Sequence, residues 1–197
     1  FLALYRIVNM FGTPTIAAYS IAMRIDSFAV MPAMNFSAAL ATFVGQNIGA
    51  GKFNRVGKGL SATFKMASVV SILVTTIAMV FAGPLMHAFT KNTVVIDVGK
   101  QYLYIVSPFY LVFSTMFVIS GIMRGAGDTL IPMFITILSL WVVRIPASYF
   151  LSQKLGSLGI WWGIPIAWFV GTALSYFYYK TGRWKKKAVV KKKMANL

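Results

Sequence analysis

Residues 27–51 read SFAVMPAMNFSAALATFVGQNIGAG, a run with no Asp, Glu, Lys, Arg or His. A helix rising 1.5 Å per residue needs about 20 mainly apolar residues to cross a ~30 Å hydrocarbon core, so this stretch alone is long enough to span a bilayer. The same pattern recurs on its C-terminal side. Residues 66–90, 101–123 and 155–179 also lack Asp, Glu, Lys and Arg, and residues 129–153 contain only Arg144. These runs predict five complete spans. The opening stretch, Phe1 to Met10, is apolar but too short to cross and carries Arg6. It lacks the basic start and small-residue cleavage site of a signal peptide, and is read as the end of a helix that begins upstream.

Composition agrees with the runs. The chain has 197 residues, 58% hydrophobic and 11% charged, with a mean hydropathy of +0.75. Ordinary soluble domains are about 25% charged. Cys is absent and His87 is the single His, which removes disulfides, thiolate metal sites, a Cys nucleophile and a His-rich zinc site. Asp26, Asp97 and Asp128 are the only acids, too few for a paired-carboxylate hydrolase. No enzyme, cofactor or metal site is expected. The net charge of +16 resolves into six lysines within the last thirteen residues and further cations flanking the apolar runs. That distribution reads as membrane topology rather than nucleic-acid binding. The predicted fold is all-α, a polytopic transmembrane helix bundle over residues 1–183 followed by a basic cytoplasmic tail, 184–197.

Gly12-Thr-Pro14 marks a turn and helix start, and a helix from Thr15 to about Asn47 would run roughly 50 Å, with Pro32 as a natural bend point. Loop charges orient the bundle. Lys52, Arg55 and Lys58 and the lysine-rich tail are expected on the cytoplasmic side, with four crossings between them; the Lys91 loop and the turn at Lys154 are then external. The tail, from Lys180 to Lys193, suits contact with anionic lipid at about 1 kcal/mol per lysine.

Several local patterns have plain readings. Gly49-Ala-Gly-Lys52 lacks the leading Gly and trailing hydroxyl of a phosphate loop, having Gln46 and Phe53 there. Asn35-Phe-Ser37 matches a glycosylation pattern but lies inside an apolar helix. His87 is expected to be structural or interfacial. Pairs of small residues four apart, Gly45/Gly49, Gly121/Gly125, Gly159/Gly163 and Ala167/Gly171, predict close helix crossings.

Polar stripes carry more information. At 100° per residue, Ser20, Arg24, Ser27, Met31, Asn35, Ala38 and Thr42 share one face of the long helix. Tyr104, Ser107, Leu111, Ser114 and Thr115 form a similar sector in the 101–123 helix. Two readings stay open: interhelical hydrogen bonding, at about 0.6–2 kcal/mol per contact, or a water-accessible cavity for amphipathic ligands. The cavity candidates are Arg24, Ser27, Met31, Asn35, Tyr104, Ser107 and Ser114. Arg144 is within snorkelling reach of the external surface, and Ile145-Pro146 suggests a bend whose freed carbonyl it could satisfy. Asp26, two residues from Arg24, faces elsewhere on a regular helix. It is the only acid near the membrane able to carry a proton, and a plain interfacial contact is its expected role.

Three strings in order resemble the multidrug and toxic compound extrusion (MATE) family: Val44-Gly-Gln-Asn-Ile-Gly-Ala-Gly51 with Arg55; Gly121-Ile-Met-Arg-Gly-Ala-Gly-Asp-Thr129 with Pro132; and Arg144-Ile-Pro146 followed by Leu158-Gly-Ile-Trp-Trp-Gly-Ile-Pro165. The resemblance covers nearly the whole chain and implies a C-terminal six-helix lobe, from the end of the seventh helix through the twelfth. It further implies a secondary antiporter of the cytoplasmic membrane that exports cationic amphipathic compounds against H⁺ or Na⁺, together with an N-terminal lobe. Gln46, Asn47, Gly49 and Gly51 would end the eighth helix. Arg124, Gly125, Gly127, Asp128 and Thr129, with Pro132, would form the turn between the tenth and eleventh. These are read as hinge and fold elements, with Arg124 and Asp128 pairing or capping and Thr129 or Asp128 as N-cap. The tenth helix has no acid, unlike the branch that holds a cation there, which directs the expected coupling carboxylate to the N-terminal lobe. A lipid-linked oligosaccharide flippase of the same superfamily and a non-transporting scaffold with a lipid-binding tail are the alternatives.

Overall fold

The computed structural model describes residues 2–187; the tail residues 188–197, most of the predicted basic segment, lie outside the described residues. Five segments have the length and apolarity to cross a membrane, as predicted. A short helix α1 (Leu2–Asn9) precedes α2 (Thr13–Gly49), which has 37 residues and passes through Pro32 without interruption. Pro14 sits in its first turn, where a missing N–H costs nothing. Next comes α3 (Phe53–Val80), which begins well before the predicted run at residue 66, and then a short α4 (Ala82–His87). Val56 is buried and Leu60 packs against the same core, which carries the helix beyond its charge-free part.

The third span has two parts. Helix α5 (Thr93–Val106) is capped by Asn92, whose Oδ1 accepts from the backbone N–H of Val94 at 3.0 Å. It narrows to a 3₁₀ turn at Ser107–Phe109, where Pro108 interrupts the ladder, and continues as α6 (Tyr110–Gly125). The fourth span is also irregular. Helix α7 (Leu130–Ile137) widens into a π-helical stretch, Leu138–Val143, before α8 (Arg144–Leu155). Helix α9 (Ser157–Lys180) closes the bundle, followed by a 3₁₀ turn at Arg183–Lys187.

Packing follows the small residues. Helices α2 and α6 form one of the two most extensive pairings, and α8 with α9 the other. A Cβ on Gly121 would stand 2.6 Å from the carbonyl oxygen of Ser37, and one on Gly125 would strike the carbonyl of Ala41. A Cβ on Gly163 would stand 2.9 Å from the backbone nitrogen of Ser148, and one on Gly159 would strike the Leu151 backbone. At Gly171 an added Cβ would likewise meet Ser139 Oγ at 2.7 Å; at Gly45 it would stand 3.3 Å from the Gly125 carbonyl oxygen, while at Gly49 it would meet nothing within 4 Å among the described residues.

Two apolar cores result. One gathers α1, the first half of α2, α5 and the first half of α9 around Tyr19, Tyr102, Tyr110 and Trp161. The other joins the second half of α2, the start of α3 and the end of α6, with Trp184 folded onto it. Trp184 is buried, stacks on Tyr179 at 5.6 Å and donates its indole N–H to the Tyr179 carbonyl at 3.0 Å. The base of the tail is thus fixed to the bundle.

Candidate functional site

The site begins with Asp26 on α2. Its Oδ2 accepts the Tyr102 hydroxyl and its Oδ1 the Tyr110 hydroxyl, each at 2.5 Å. Both tyrosines are buried, and they come from opposite sides of the 3₁₀ turn that joins α5 to α6. Charge-assisted bonds of this kind are roughly twice as strong as neutral ones, which is how a carboxylate is tolerated between helices. The interfacial role expected for Asp26 is therefore corrected: the side chain points into the lobe.

Asp26 opens onto a cavity of about 320 Å³. Its walls are Tyr19, Met23, Ser27, Phe113, Trp168, Arg144 and neighbouring aliphatics. The aromatic side chains around it pack in two groups. Tyr19 stacks on Trp161 with ring centres 5.6 Å apart, Tyr102 meets the same indole edge-on at 5.0 Å, and Phe113 packs against Trp168 at 5.0 Å. Such surfaces accept flat or greasy ligands and bind cations through their faces.

Arg144 enters this cavity at the end of the π stretch. Each extra residue in a widened turn shifts the helix phase by about 100°, so side chains beyond it face a different direction from those on a straight α-helix. Trp141 and Val142 are exposed whereas Arg144 is half-buried, and its Nη2 donates to the Tyr19 hydroxyl at 3.1 Å. It neither snorkels outward nor caps the carbonyl freed by Pro146, contrary to the expectation from the sequence.

The predicted cavity residues divide. Ser27 lines the Asp26 cavity. Arg24, Met31 and Asn35 are exposed along one open face of α2, where Met31 is 63% accessible, and Tyr104 is exposed on α5. Ser107 is buried and donates to the Leu103 carbonyl at 2.6 Å, while the buried Ser114 hydroxyl has no hydrogen-bond partner among the described residues. The stripe on α2 therefore lies on the bundle's surface, and the interior site belongs to the neighbouring face.

The motif residues cluster at the opposite end of α2. Asn47 is buried and donates to the Phe43 carbonyl at 2.8 Å; Gln46 and Gly49 are exposed, and Gly51 turns the chain at φ +72°. Arg124 donates to Ser37 Oγ at 2.8 Å, and the Ser37 hydroxyl in turn donates to the Phe117 carbonyl, tying α2 to α6 beside Gly121. Gly127 takes φ +90°, a conformation that strongly favours glycine, and Asp128 behind it accepts the Tyr178 hydroxyl of α9. Thr129, one of the two residues expected there, occupies the N-cap position of α7, and its side chain makes no capping bond. Pro132 is buried in the first turn of α7.

Comparisons with known proteins place this geometry. A family model described as MatE matches residues 1–150. The chain belongs to the MATE family. A probable multidrug resistance protein, YoeA of Bacillus subtilis, is 30% identical over 192 residues, covering 96% of this chain and 41% of the relative. The probable multidrug resistance protein NorM of Thermotoga maritima is 29% identical over 181 residues, covering 91% and 39%. This MATE chain thus spans about two fifths of the length of the curated relatives it matches. Its fold superposes on the Vibrio cholerae MATE transporter VcmN, as a D35N mutant, with a TM-score of 0.84 at 18% identity, covering 91% of this chain and 41% of that one. A MATE structure in the straight conformation gives 0.86 at 20% identity, covering 97% and 42%.

What sequence reasoning missed is the partnership of Asp26 with two tyrosines. Tyr102 and Tyr110 lie 76 and 84 residues away, and no local pattern links them to it. One signal was present: Asp26 falls off the polar stripe that holds Arg24, which already separated it from that surface.

Proposed function

We propose that this chain is the C-terminal lobe of a secondary antiporter that exports cationic amphipathic compounds in exchange for H⁺ or Na⁺ by alternating access with an N-terminal lobe. The bilayer in question is the cytoplasmic membrane, with the tail on the cytoplasmic side. The observation that carries this reading is Asp26, a carboxylate held in an aromatic cavity inside the bundle. An ionisable side chain at membrane depth is costly and usually marks a substrate or ion path. Aromatic faces and Met23 supply the apolar contacts an amphipathic ligand needs, and Asp26 supplies the charge that selects a cation. A lipid-linked oligosaccharide flippase would need a cavity with excess positive charge for a pyrophosphate, and here Arg144 is offset by Asp26.

The test uses the full-length protein in proteoliposomes loaded with a fluorescent cation. Export is expected to follow an imposed H⁺ or Na⁺ gradient and to stop when an ionophore collapses it; movement indifferent to either gradient would refute the antiport reading. Sidedness has its own test. Single cysteines at Lys52 and Lys154 should label from opposite sides of the membrane, and same-side labelling overturns the topology.

A further inference from the structure

Arg144 stands between two cavities. On one side lies the Asp26 cavity of about 320 Å³, and on the other a smaller one of about 170 Å³ lined by Leu4, Tyr19, Leu140, Trp141 and Ile145; Arg144, Tyr19 and Leu140 belong to both. Its bonding is incomplete for a guanidinium inside a membrane. Nη2 donates to the Tyr19 hydroxyl, and Nε is buried without a hydrogen-bond partner among the described residues. Arg144 is within electrostatic reach of Asp26 but forms no direct ion pair with it among the described residues. Structural Arg–carboxylate pairs are frequently bidentate. Here each oxygen of Asp26 accepts a tyrosine hydroxyl and the Arg144 bond goes to Tyr19, so Arg144 compensates the charge without being locked to it.

We propose that Arg144 is a tethered counter-cation for Asp26: it balances the cavity when no ligand is present and is displaced toward the smaller cavity when a monovalent organic cation binds at Asp26. The proposal rests on the reading of Asp26 as the cation-binding carboxylate. With Arg144 in place the cavity is neutral, and an added cation gains no net attraction. Withdrawal of the guanidinium exposes the Asp26 charge to the ligand, and the room it needs is already there. Tyr19 lines both cavities and can follow Arg144 as a hydrogen-bond acceptor. The π stretch ending at Val143 gives the backbone just before Arg144 a wide turn, a feature frequent at functional sites. The remaining nearby cation on α2, Arg24, is exposed on a different face and does not line the cavity.

The experiment measures tetraphenylphosphonium binding to the full-length protein in nanodiscs, with thermal melting as a check on folding. Arg144→Met is expected to bind ~10-fold more tightly, because an uncompensated carboxylate replaces a neutral pair. Arg144→Lys should retain the native affinity. Asp26→Asn should weaken binding ~10-fold or more, and adding Arg144→Met to it should then have no further effect. If Arg144→Met proves unable to fold, Tyr19→Phe serves: loss of the tether frees Arg144 to move onto Asp26 and should weaken binding about threefold. Unchanged or weaker binding in Arg144→Met, or tighter or unchanged binding in Tyr19→Phe, overturns the counter-cation while leaving the Asp26 reading intact if Asp26→Asn still weakens binding. An Asp26→Asn protein that binds as well as the native one removes both.

Discussion

Asp26 and Asp128 are held by the same chemistry and do different things. Each accepts hydrogen bonds from tyrosine hydroxyls, Asp26 from Tyr102 and Tyr110, Asp128 from Tyr178. Asp128 is only 1% exposed and sits in a tight turn between α6 and α7, its backbone N–H donating to the Met123 carbonyl at 2.9 Å. Asp26 has open volume on one side and a cation across it. The hydroxyl donors make either carboxylate tolerable; the adjacent space decides whether it can meet a ligand. Asp128 fastens α9 to the turn, whereas Asp26 presents its charge to a cavity.

The largest expected effect separates the two directly. In the full-length protein, Asp26→Asn should reduce cation export per folded molecule ~100-fold or more, about the loss of a contact worth 3 kcal/mol, and should also cost about 1–3 kcal/mol of stability because the amide can accept only one of the two tyrosine hydroxyls. Asp128→Asn should likewise cost about 1–3 kcal/mol of stability through a weakened buried bond, but lower export only in proportion to folded protein. Transport per folded molecule and thermal melting, measured on both variants, are the required readouts. If Asp128→Asn abolishes export at full folded yield, the distinction between the two carboxylates fails.

The two regions also differ in how much of them could be read from the sequence. A close crossing on α6 was legible, because Gly121 and Gly125 stand four apart on one helix face and small residues at that spacing are what close approach demands, whereas α2 as the partner emerges only from the structure. The spans were legible for a similarly local reason: hydrocarbon excludes charge, so the spaces between charges outline the helices. The Asp26 cavity depends on contacts across 76 to 125 residues of sequence and on two departures from the α-helix. Pro108 hinted at the 3₁₀ turn, but nothing in Leu138–Val143 signals a π stretch, and without it the direction of Arg144 could not be derived. The polar stripe of α2 is a local pattern and lies on an open face of this lobe, with Ser27 alone of its candidates lining the Asp26 cavity; the cavity itself is built on the neighbouring face.

A second test addresses the crossing. Gly121→Val places a branched side chain against the Ser37 backbone, where even a Cβ would stand 2.6 Å from the carbonyl oxygen and neither backbone can yield. Overpacking of this kind costs about 1–3 kcal/mol or more, and the folded yield should fall accordingly. Gly49→Val, with nothing within 4 Å of its Cβ position, is the control and should fold normally. Equal yields for the two would mean that the close approach of α2 and α6 does not constrain this end of the bundle.

The smallest effect concerns the open face of α2. Asn35→Ala and Tyr104→Ala remove polar groups from exposed positions, so neither should alter folded yield. If this face borders the path between lobes, each substitution should shift the relative export of two different cations by about two- to fivefold, under 1 kcal/mol, since contacts at a wetted surface are individually weak. The change should appear in substrate preference and leave dependence on the driving gradient untouched, because neither residue carries charge. An unaltered preference in both variants assigns the stripe to helix packing with the N-terminal lobe and confines recognition in this lobe to the cavity at Asp26. A change in gradient dependence would be more damaging, since it would place part of the coupling on the surface that the comparison with Asp26 treats as passive.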